Sequence, residues 1–332
     1  MNKISVIGAG SWGTALAQTI TTAGRDVLLW GRSDSIVSEI NDKHLNTAYL
    51  SDIPLHPELK ATTDFETAVR HAECLFLVVP AQHVRSISQR MKPFLNDKTP
   101  IIICSKGIEL ETGALMSSIL TEELPDHPYI VLSGPTFADE VAKGLPAAVT
   151  LATPHSSEIG HAVAEAINSK TFRPYVTTDP IGAEIGGAVK NVIAIACGIV
   201  HGSDLGENAR AAIMTRGMAE IKRMGKALGA KPETFLGLSG MGDLTLTCNS
   251  MKSRNFSLGV QRGRGESLNE ILAKRNQVTE GVATASAVLD FAKKQAVDMP
   301  ICAAVNETVH NGASVEDTIY ALMTRPLTQE ES

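Results

Sequence analysis

The sequence predicts an α/β protein in two parts: a doubly wound parallel sheet over residues 1–180, then an all-helical part over residues 181–332. Three observations predict it. The chain opens with a short apolar run, residues 4–7, that stops at glycines and passes straight into a helical pattern through Ala15, Leu16 and Ile20. Short apolar runs then alternate with helix-like stretches, the pattern of a parallel sheet covered by helices on both faces. From about Pro180 onward strand-like runs become scarce and helical periodicity dominates.

The elements follow in order. The first helix stops at Ala23-Gly24-Arg25. Residues 27–30 (VLLW) read as a buried second strand, followed by a helix over 34–41 and a polar, proline-containing passage over 49–57. Thr62-Thr63-Asp64 reads as the cap of a helix reaching Val69. Residues 74–79 (CLFLVV) form a buried strand stopped at Pro80, and residues 86–91 a helix. Residues 101–104 form a strand running into Ser105-Lys106-Gly107. Residues 129–132 form another, leading to Ser133-Gly134-Pro135-Thr136, and 147–152 a further one. Such sheets bind ligands beyond the carboxyl ends of their strands. That rule selects Arg32, Pro80, Lys106 and the 134–136 loop as neighbours of one crevice. In the second part, helices are expected over 182–200, 210–228, 268–272, 282–294 and 315–323.

Composition narrows the class. A length of 332 residues suffices for two domains with their own cores. The net charge is −6 with no basic run, which argues against nucleic acid and means that anions must be caught by local sites. The five cysteines (Cys74, Cys104, Cys197, Cys248, Cys302) lack any C-x-x-C spacing, which favours a reducing compartment over a disulfide frame or a zinc site. The N-terminus lacks a signal-peptide shape, and no apolar stretch is expected to approach the roughly 20 residues of a membrane span. A cytoplasmic protein without membrane insertion is expected. The histidines show no metal spacing, and no metal is expected.

The glycine turn carries the first functional signal. Gly8-Ala9-Gly10-Ser11-Trp12-Gly13 has the spacing G-x-G-x-x-G between a strand and a helix. Gly8 permits the tight turn, Gly10 lets the backbone approach a pyrophosphate, and Gly13 lets helix and strand pack closely; the N–H groups of the helix start then hold the phosphates. The first part is therefore a Rossmann-like dinucleotide-binding domain. At the end of its second strand, an NAD site usually carries an acid for the ribose hydroxyls, whereas an arginine suits the 2′-phosphate of NADP. The chain has Gly31-Arg32-Ser33 there, so NADP(H) is expected ahead of NAD(H). The alternative is that Arg32 is a solvated surface charge.

The second part carries the acid–base candidates. Gly182, Gly186 and Lys190 are spaced four apart on one face of an apolar helix, so the glycines clear space beside Lys190 for a ligand or another backbone. A lysine there either snorkels to water or is partly desolvated, which lowers its pKa toward neutrality and fits it for proton transfer. The adjacent Asn191 and the glycine face favour the second. In LSGMGDLTLT (238–247), Asp243 could pair with Lys190, accept a substrate proton, or simply cap a helix. Ser253-Arg254-Asn255 reads equally as a phosphate site at a helix start or as an N-cap followed by an exposed arginine. Lys106 could bind substrate oxygen or cofactor phosphate, or pair with Glu109 or Glu111.

These motifs together resemble the NAD(P)-dependent sn-glycerol-3-phosphate dehydrogenases of the bacterial biosynthetic type. The stretches that carry the resemblance are GAGSWGTALA (8–17), VVPAQ (78–82), SKGIE (105–109), SGPTFADEVAKGLPAAV (133–149), GGAVKNVIAIACGI (186–199), GMGDLTLTC (240–248) and SRN (253–255), in the family's order over nearly the whole chain. The resemblance implies that Ser11, Trp12, Arg32, Ala138, Val278 and Glu280 contact the cofactor. Lys106 and Arg254 would touch both cofactor and substrate. Gly134, Thr136, Asp243, Ser253 and Asn255 would bind substrate, and Lys190 would exchange the proton, with Lys106, Asn191 and Asp243 positioning the reacting groups. Some members carry histidine where Arg32 stands. The implied reaction is reduction of dihydroxyacetone phosphate to sn-glycerol 3-phosphate, feeding glycerophospholipid synthesis. A hydroxyisobutyrate- or phosphogluconate-type dehydrogenase is disfavoured because asparagine follows the lysine directly in GGAVKN. The full set of lysine, aspartate and arginine motifs disfavours a non-catalytic NADP sensor. The apolar helices of the second part permit a homodimer.

Overall fold

Residues 1–154, 157–275, 279–327 and 329 are described by the structure, a computed structural model. They divide into two compact units, Met1–Ser105 with Leu115–Pro180 and Lys106–Ala114 with Ile181–Ser332. The units are not two consecutive blocks of chain: residues Lys106–Ala114, placed by the sequence pattern with the sheet, cluster with the helices.

The first unit runs β1 (Lys3–Ile7), α1 (Ser11–Thr22), β2 (Asp26–Trp30), α2 (Asp34–Lys43), β3 (Lys60–Thr62), α3 (Phe65–His71), β4 (Cys74–Leu77), α4 (Val84–Met91) and β5 (Ile101–Ile103). It continues through α5 (Met116–Glu123), β6 (Tyr129–Ser133), α6 (Ala138–Ala142), β7 (Ala147–Ala152), α7 (Ser157–Ile167) and β8 (Phe172–Thr177). Among the described residues the strands form one sheet in the order β3-β2-β1-β4-β5-β6-β7-β8. Strands apolar on both faces belong inside a helix-covered sheet. Accordingly β4 and β5 are buried throughout, and Ile4, Val6, Leu29, Phe76, Ile102 and Ile130 join one core.

Two expectations are corrected here. The sheet is mixed, because β7 pairs antiparallel with β6 while β8 runs parallel to β7. The short β3 (KAT) and the half-exposed β8 (FRPYVT) were not expected as strands. Pro174 lacks an N–H for a sheet ladder, so a proline-bearing strand is tolerated at an edge, and β8 is the edge.

The second unit contains α8 (Pro180–Gly202), α9 (Gly206–Ala227), α10 (Asp243–Cys248), α11 (Arg254–Gly263), α12 (Leu268–Ala273), α13 (Glu280–Lys294), α14 (Pro300–His310) and α15 (Val315–Met323). A π-helical turn, Leu238–Gly242, runs into α10. Against expectation, α8 is long and apolar enough to cross a membrane, with a mean hydropathy of 1.6 over its most apolar window. All of that window is buried inside the protein, so its all-round apolar surface is that of a core helix.

Small residues bring α8 and α11 together at backbone distance. A Cβ at Gly198 would lie 2.9 Å from Gly259 Cα, and one at Gly263 would lie 3.0 Å from Ser203 N. Only glycine leaves room for such an approach. This crossing fixes the start of α11, Arg254-Asn255, relative to the turn of α8 that carries Lys190 and Asn191.

Candidate active site

In the first unit the glycine turn behaves as its spacing requires. Gly8 N–H donates to Trp30 O (3.0 Å) and Thr14 N–H to Gly10 O (2.9 Å), closing the strand-to-helix turn. Gly8 has φ +123°, and a Cβ there would strike Val78 O. A Cβ at Gly13 would strike Gly8 O, whereas Gly10 has nothing within 4 Å of where its Cβ would stand. The close-packing glycine and the open glycine are thus at the expected positions. α1 starts without a side-chain cap, which leaves its first N–H groups for a ligand. These features fit the phosphates of a dinucleotide.

Several neighbours shape this end of the unit. Asn46, which the sequence pattern does not reveal, is buried and donates to Ala9 O (3.1 Å) and Thr14 Oγ1 (2.8 Å), bracing the turn from a distant loop. Ser11 Oγ donates to Tyr49 O (3.1 Å), and Trp12 is half-buried against the core. Arg32 is exposed just beyond β2, and Asp34 is the first residue of α2. Gly134, with φ +149°, follows β6, where a Cβ would lie 3.1 Å from Val149 Cα. Thr136 Oγ1 donates to Gly134 O (3.3 Å), and Ala138 opens α6. Ser133 Oγ is buried without a hydrogen-bond partner among the described residues.

The second unit holds a buried charge cluster. Lys190 Nζ donates to Asp243 Oδ1 (2.6 Å) and Thr247 Oγ1 (2.9 Å), and Lys106 Nζ donates to Asp243 Oδ2 (2.7 Å). Asp243 and Lys190 are buried, while Lys106 keeps part of its side chain in solvent. Lys106 therefore pairs with Asp243, and the pairing of Asp243 with Lys190 is present. Gly186 explains the approach: a Cβ there would lie 2.5 Å from Ser239 O, so the glycine face admits another backbone, the turn that leads into Asp243. Thr247 lies one helical turn beyond Asp243 on the same face of α10 and returns its own proton to Asp243 O (2.6 Å). The i, i+4 spacing in D-L-T-L-T was the signal that could have assigned Thr247 a place in the cluster.

The electrostatics follow from two cations sharing one carboxylate. Burial pushes Lys190 down to about 8; Asp243 opposes that fall and Lys106 adds to it. Burial works to raise the pKa of Asp243, but Lys106 and Lys190 outweigh it and hold the carboxyl below its ordinary range. The cluster carries an excess positive charge with Lys190 poised near neutrality, as proton transfer to an oxyanion requires.

A polar chain adjoins the cluster. Asn255 Nδ2 donates to Asn191 Oδ1 (2.9 Å), and Gly281 N–H donates to Asn255 Oδ1 (2.9 Å). Ser253 is the N-cap of α11, accepting from Phe256 N–H (3.2 Å), so the capping role is realised. Arg254 is exposed at the first position of that helix. Arg275 spans the helix surface, donating to Arg254 O (2.8 Å), Ser257 Oγ (3.1 Å) and Gln261 Oε1 (2.7 Å). Glu280 opens α13 half-buried; burial raises its pKa, opposed by Arg254, Lys106 and Lys190. Thr279 before it has a buried hydroxyl without a partner among the described residues. Val278 lies outside the described residues.

A dinucleotide-type glycine turn in an α/β unit and a buried lysine–aspartate–lysine cluster in a helical unit define a nicotinamide-dependent dehydrogenase. The comparisons make this particular. Residues 3–159 match the family model for the NAD-dependent glycerol-3-phosphate dehydrogenase N-terminus, and residues 179–320 the model for its C-terminus. The chain is 50% identical over 328 residues to glycerol-3-phosphate dehydrogenase [NAD(P)+] of Parvibaculum lavamentivorans, covering 99% of this chain and 98% of that one. It is 51% identical over 330 residues to the protein of the same name from Rhodospirillum rubrum, covering 99% and 94%. The crystal structure of glycerol-3-phosphate dehydrogenase from Coxiella burnetii superposes with a TM-score of 0.93 at 37% identity, covering 97% of this chain and 98% of that one. The chain belongs to the NAD-dependent glycerol-3-phosphate dehydrogenase family.

Proposed function

We propose that this chain catalyses the reversible reduction of dihydroxyacetone phosphate to sn-glycerol 3-phosphate with NAD(P)H, using Lys190 as the general acid of reduction and the general base of oxidation. The observation that carries the reading is the buried Lys190–Asp243–Lys106 cluster. When bound, the reduced nicotinamide supplies hydride to C2 of the substrate. Lys190 holds a proton at Nζ and passes it to the C2 oxygen as negative charge develops there. Lys106 adds positive charge that favours the oxyanion. Asp243 and Thr247 fix the Lys190 ammonium through two hydrogen bonds, so little reorganisation is needed as the proton moves. Arg254 and Asn255 at the start of α11 bind the substrate phosphate, with Ser253 setting that start through its cap. Gly134 and Thr136 contact substrate.

The same reading gives the sheet unit the cofactor, through Gly8, Gly10, Ser11, Trp12, Gly13, Arg32 and Ala138, beside the substrate contacts of Gly134 and Thr136, and the helical unit the proton and the remaining substrate contacts, with Lys106, Arg254, Val278 and Glu280 also touching cofactor. The exposed cation of Arg32 just beyond β2 favours NADP(H) over NAD(H). Five free, buried cysteines suit a reducing cytoplasm. We place the protein there, without membrane insertion, supplying glycerophospholipid synthesis; the apolar helices of the helical unit permit a homodimer.

The test is dihydroxyacetone phosphate reduction followed at the nicotinamide absorbance, with NADPH and NADH in parallel, beside a hydroxyisobutyrate and phosphogluconate panel. Oxidation of NADPH dependent on dihydroxyacetone phosphate, faster than with NADH, is expected. Turnover confined to another substrate overturns the reading of the reaction, and equal use of both coenzymes overturns the role of Arg32.

A further inference from the structure

The chain Asn191–Asn255–Gly281 joins three separate elements of the helical unit: the turn of α8 next to Lys190, the first turn of α11 and the first turn of α13. Its polarity is self-determined. A backbone N–H can only donate, so Gly281 requires the oxygen of the Asn255 amide. The Asn255 NH₂ group must then face Asn191, and Asn191 must present its own oxygen. Both side chains are buried, so a broken link would leave polar groups unpaired out of water. The fit is tight around Gly281, where a Cβ would lie 2.5 Å from Asn255 Oδ1, 2.8 Å from Asn191 O and 3.0 Å from Ile195 Cδ1. The first turn of α13 is therefore held against α8 backbone to side chain, with Asn255 as the tie.

The residues at the held end matter. Glu280 immediately precedes Gly281 and half-faces solvent, and Thr279 brings a buried hydroxyl without a partner among the described residues to the start of this 15-residue helix. An orphaned buried hydroxyl and a carboxylate beside an uncapped helix start form a polar end with unused hydrogen-bonding capacity, suited to the hydroxyl and amide groups of a nucleotide.

We propose that Asn255 is a positioning residue for cofactor binding: through Gly281 it fixes the first turn of α13 so that Glu280 is held where the nucleotide is bound. This rests on the reading of Glu280 as a cofactor contact and adds a second duty to a residue otherwise assigned only to substrate phosphate. A residue acting only on substrate phosphate has no influence on the affinity of cofactor when substrate is absent. A positioning residue for Glu280 does.

The experiment measures NADPH dissociation constants by fluorescence titration without substrate for the wild type, Asn255→Ala, Glu280→Gln, the double variant and Gly281→Ala, with far-ultraviolet circular dichroism to select folded proteins. Gly281→Ala, which disturbs the same tie from the α13 side, stands in should Asn255→Ala fail to fold. The expected result is a dissociation constant raised ~5-fold or more by Asn255→Ala and by Gly281→Ala, as loss of about one hydrogen bond's worth of positioning implies. The double variant should then be little weaker than Glu280→Gln alone. An unchanged affinity in Glu280→Gln overturns the reading of Glu280 and the inference with it. A raised constant in Glu280→Gln with none in Asn255→Ala, or two independent multiplying effects, overturns the inference alone.

Discussion

Lys190 Nζ stands 2.6 Å from Asp243 Oδ1, and both side chains are buried on helices more than fifty positions apart in sequence. Asp243 also accepts from Lys106 Nζ at 2.7 Å, so one carboxylate serves two ammonium groups. A lysine in that setting is anchored yet incompletely neutralised, which keeps its proton transferable.

Replacing Lys190 by alanine is expected to lower turnover by ~10²–10⁴-fold while leaving NADPH affinity nearly unchanged, because proton transfer is lost and the glycine turn is untouched. The intact enzyme carries a pH signature of the same group. With Lys190 pushed down to about 8, the acid needed for reduction is present below that pH and lost above it. Reductive kcat/KM should fall as pH rises through about 8, and the oxidative rate should rise over the same range. A reductive profile flat to pH 10, or full turnover in Lys190→Ala, shows that another group moves the proton.

Asp243→Asn removes the counter-charge from two cations at once. Breaking one side of a buried ion pair costs about 3–5 kcal/mol, so the melting temperature should drop markedly. Asp243 opposes the fall of the Lys190 pKa, so its loss should move the descending limb of the reductive profile to lower pH. A limb that stays in place in a folded Asp243→Asn enzyme contradicts the pairing drawn here.

In a free helix, glycine-to-alanine substitution gains roughly 1 kcal/mol. At Gly186 the sign should reverse. The new Cβ would stand 2.5 Å from Ser239 O, and the turn that delivers Asp243 must retreat. Overpacking of this kind costs about 1–3 kcal/mol. Gly186→Ala should therefore lose stability in urea unfolding and lose turnover together, since the Lys190–Asp243 distance opens. Unchanged stability would mean that the two backbones can separate freely.

Glu220 on α9 is buried and accepts from the N–H groups of Ile301 (2.6 Å) and Cys302 (3.1 Å) at the start of α14. Burial pushes its pKa up to about 7, against the downward pull of those two N–H groups. The folded protein thus holds a proton that the unfolded chain releases near its ordinary 4.5, and stability contributed by this group falls as pH rises from about 4.5 to 7. Urea unfolding at pH 5 and pH 8 should show a loss on the order of 1–3 kcal/mol from this group in the wild type, absent in Glu220→Gln. Equal pH dependence in the two proteins counts against it.

The elements legible in the sequence are those with a strong local pattern. The run Ile4–Ile7 with its three spaced glycines announced β1, the turn and α1, because each glycine answers a steric need of the turn itself. The all-apolar β4 and β5 were legible for the same local reason. The strand β8 was not, because Pro174 is acceptable only at an edge, and which strand is the edge is a property of the whole sheet. The antiparallel β7 was equally hidden: a short, mostly apolar run such as AAVTLA carries no mark of strand direction.

The sequence by itself determined the two-part architecture, the dinucleotide turn at Gly8–Gly13 and the candidates for the reactive groups, since periodicity, glycine spacing and side-chain chemistry are local quantities. Only the tertiary structure decided which partners those groups take. Lys106, beside two nearby glutamates in sequence, pairs with Asp243; Gly186 clears space for a backbone and not for a ligand; Asn255 reaches from Asn191 to Gly281. Each choice is set by how α8, α10, α11 and α13 cross, and those crossings depend on close approaches at Gly186, Gly198, Gly259 and Gly281 that are made between residues distant in the chain.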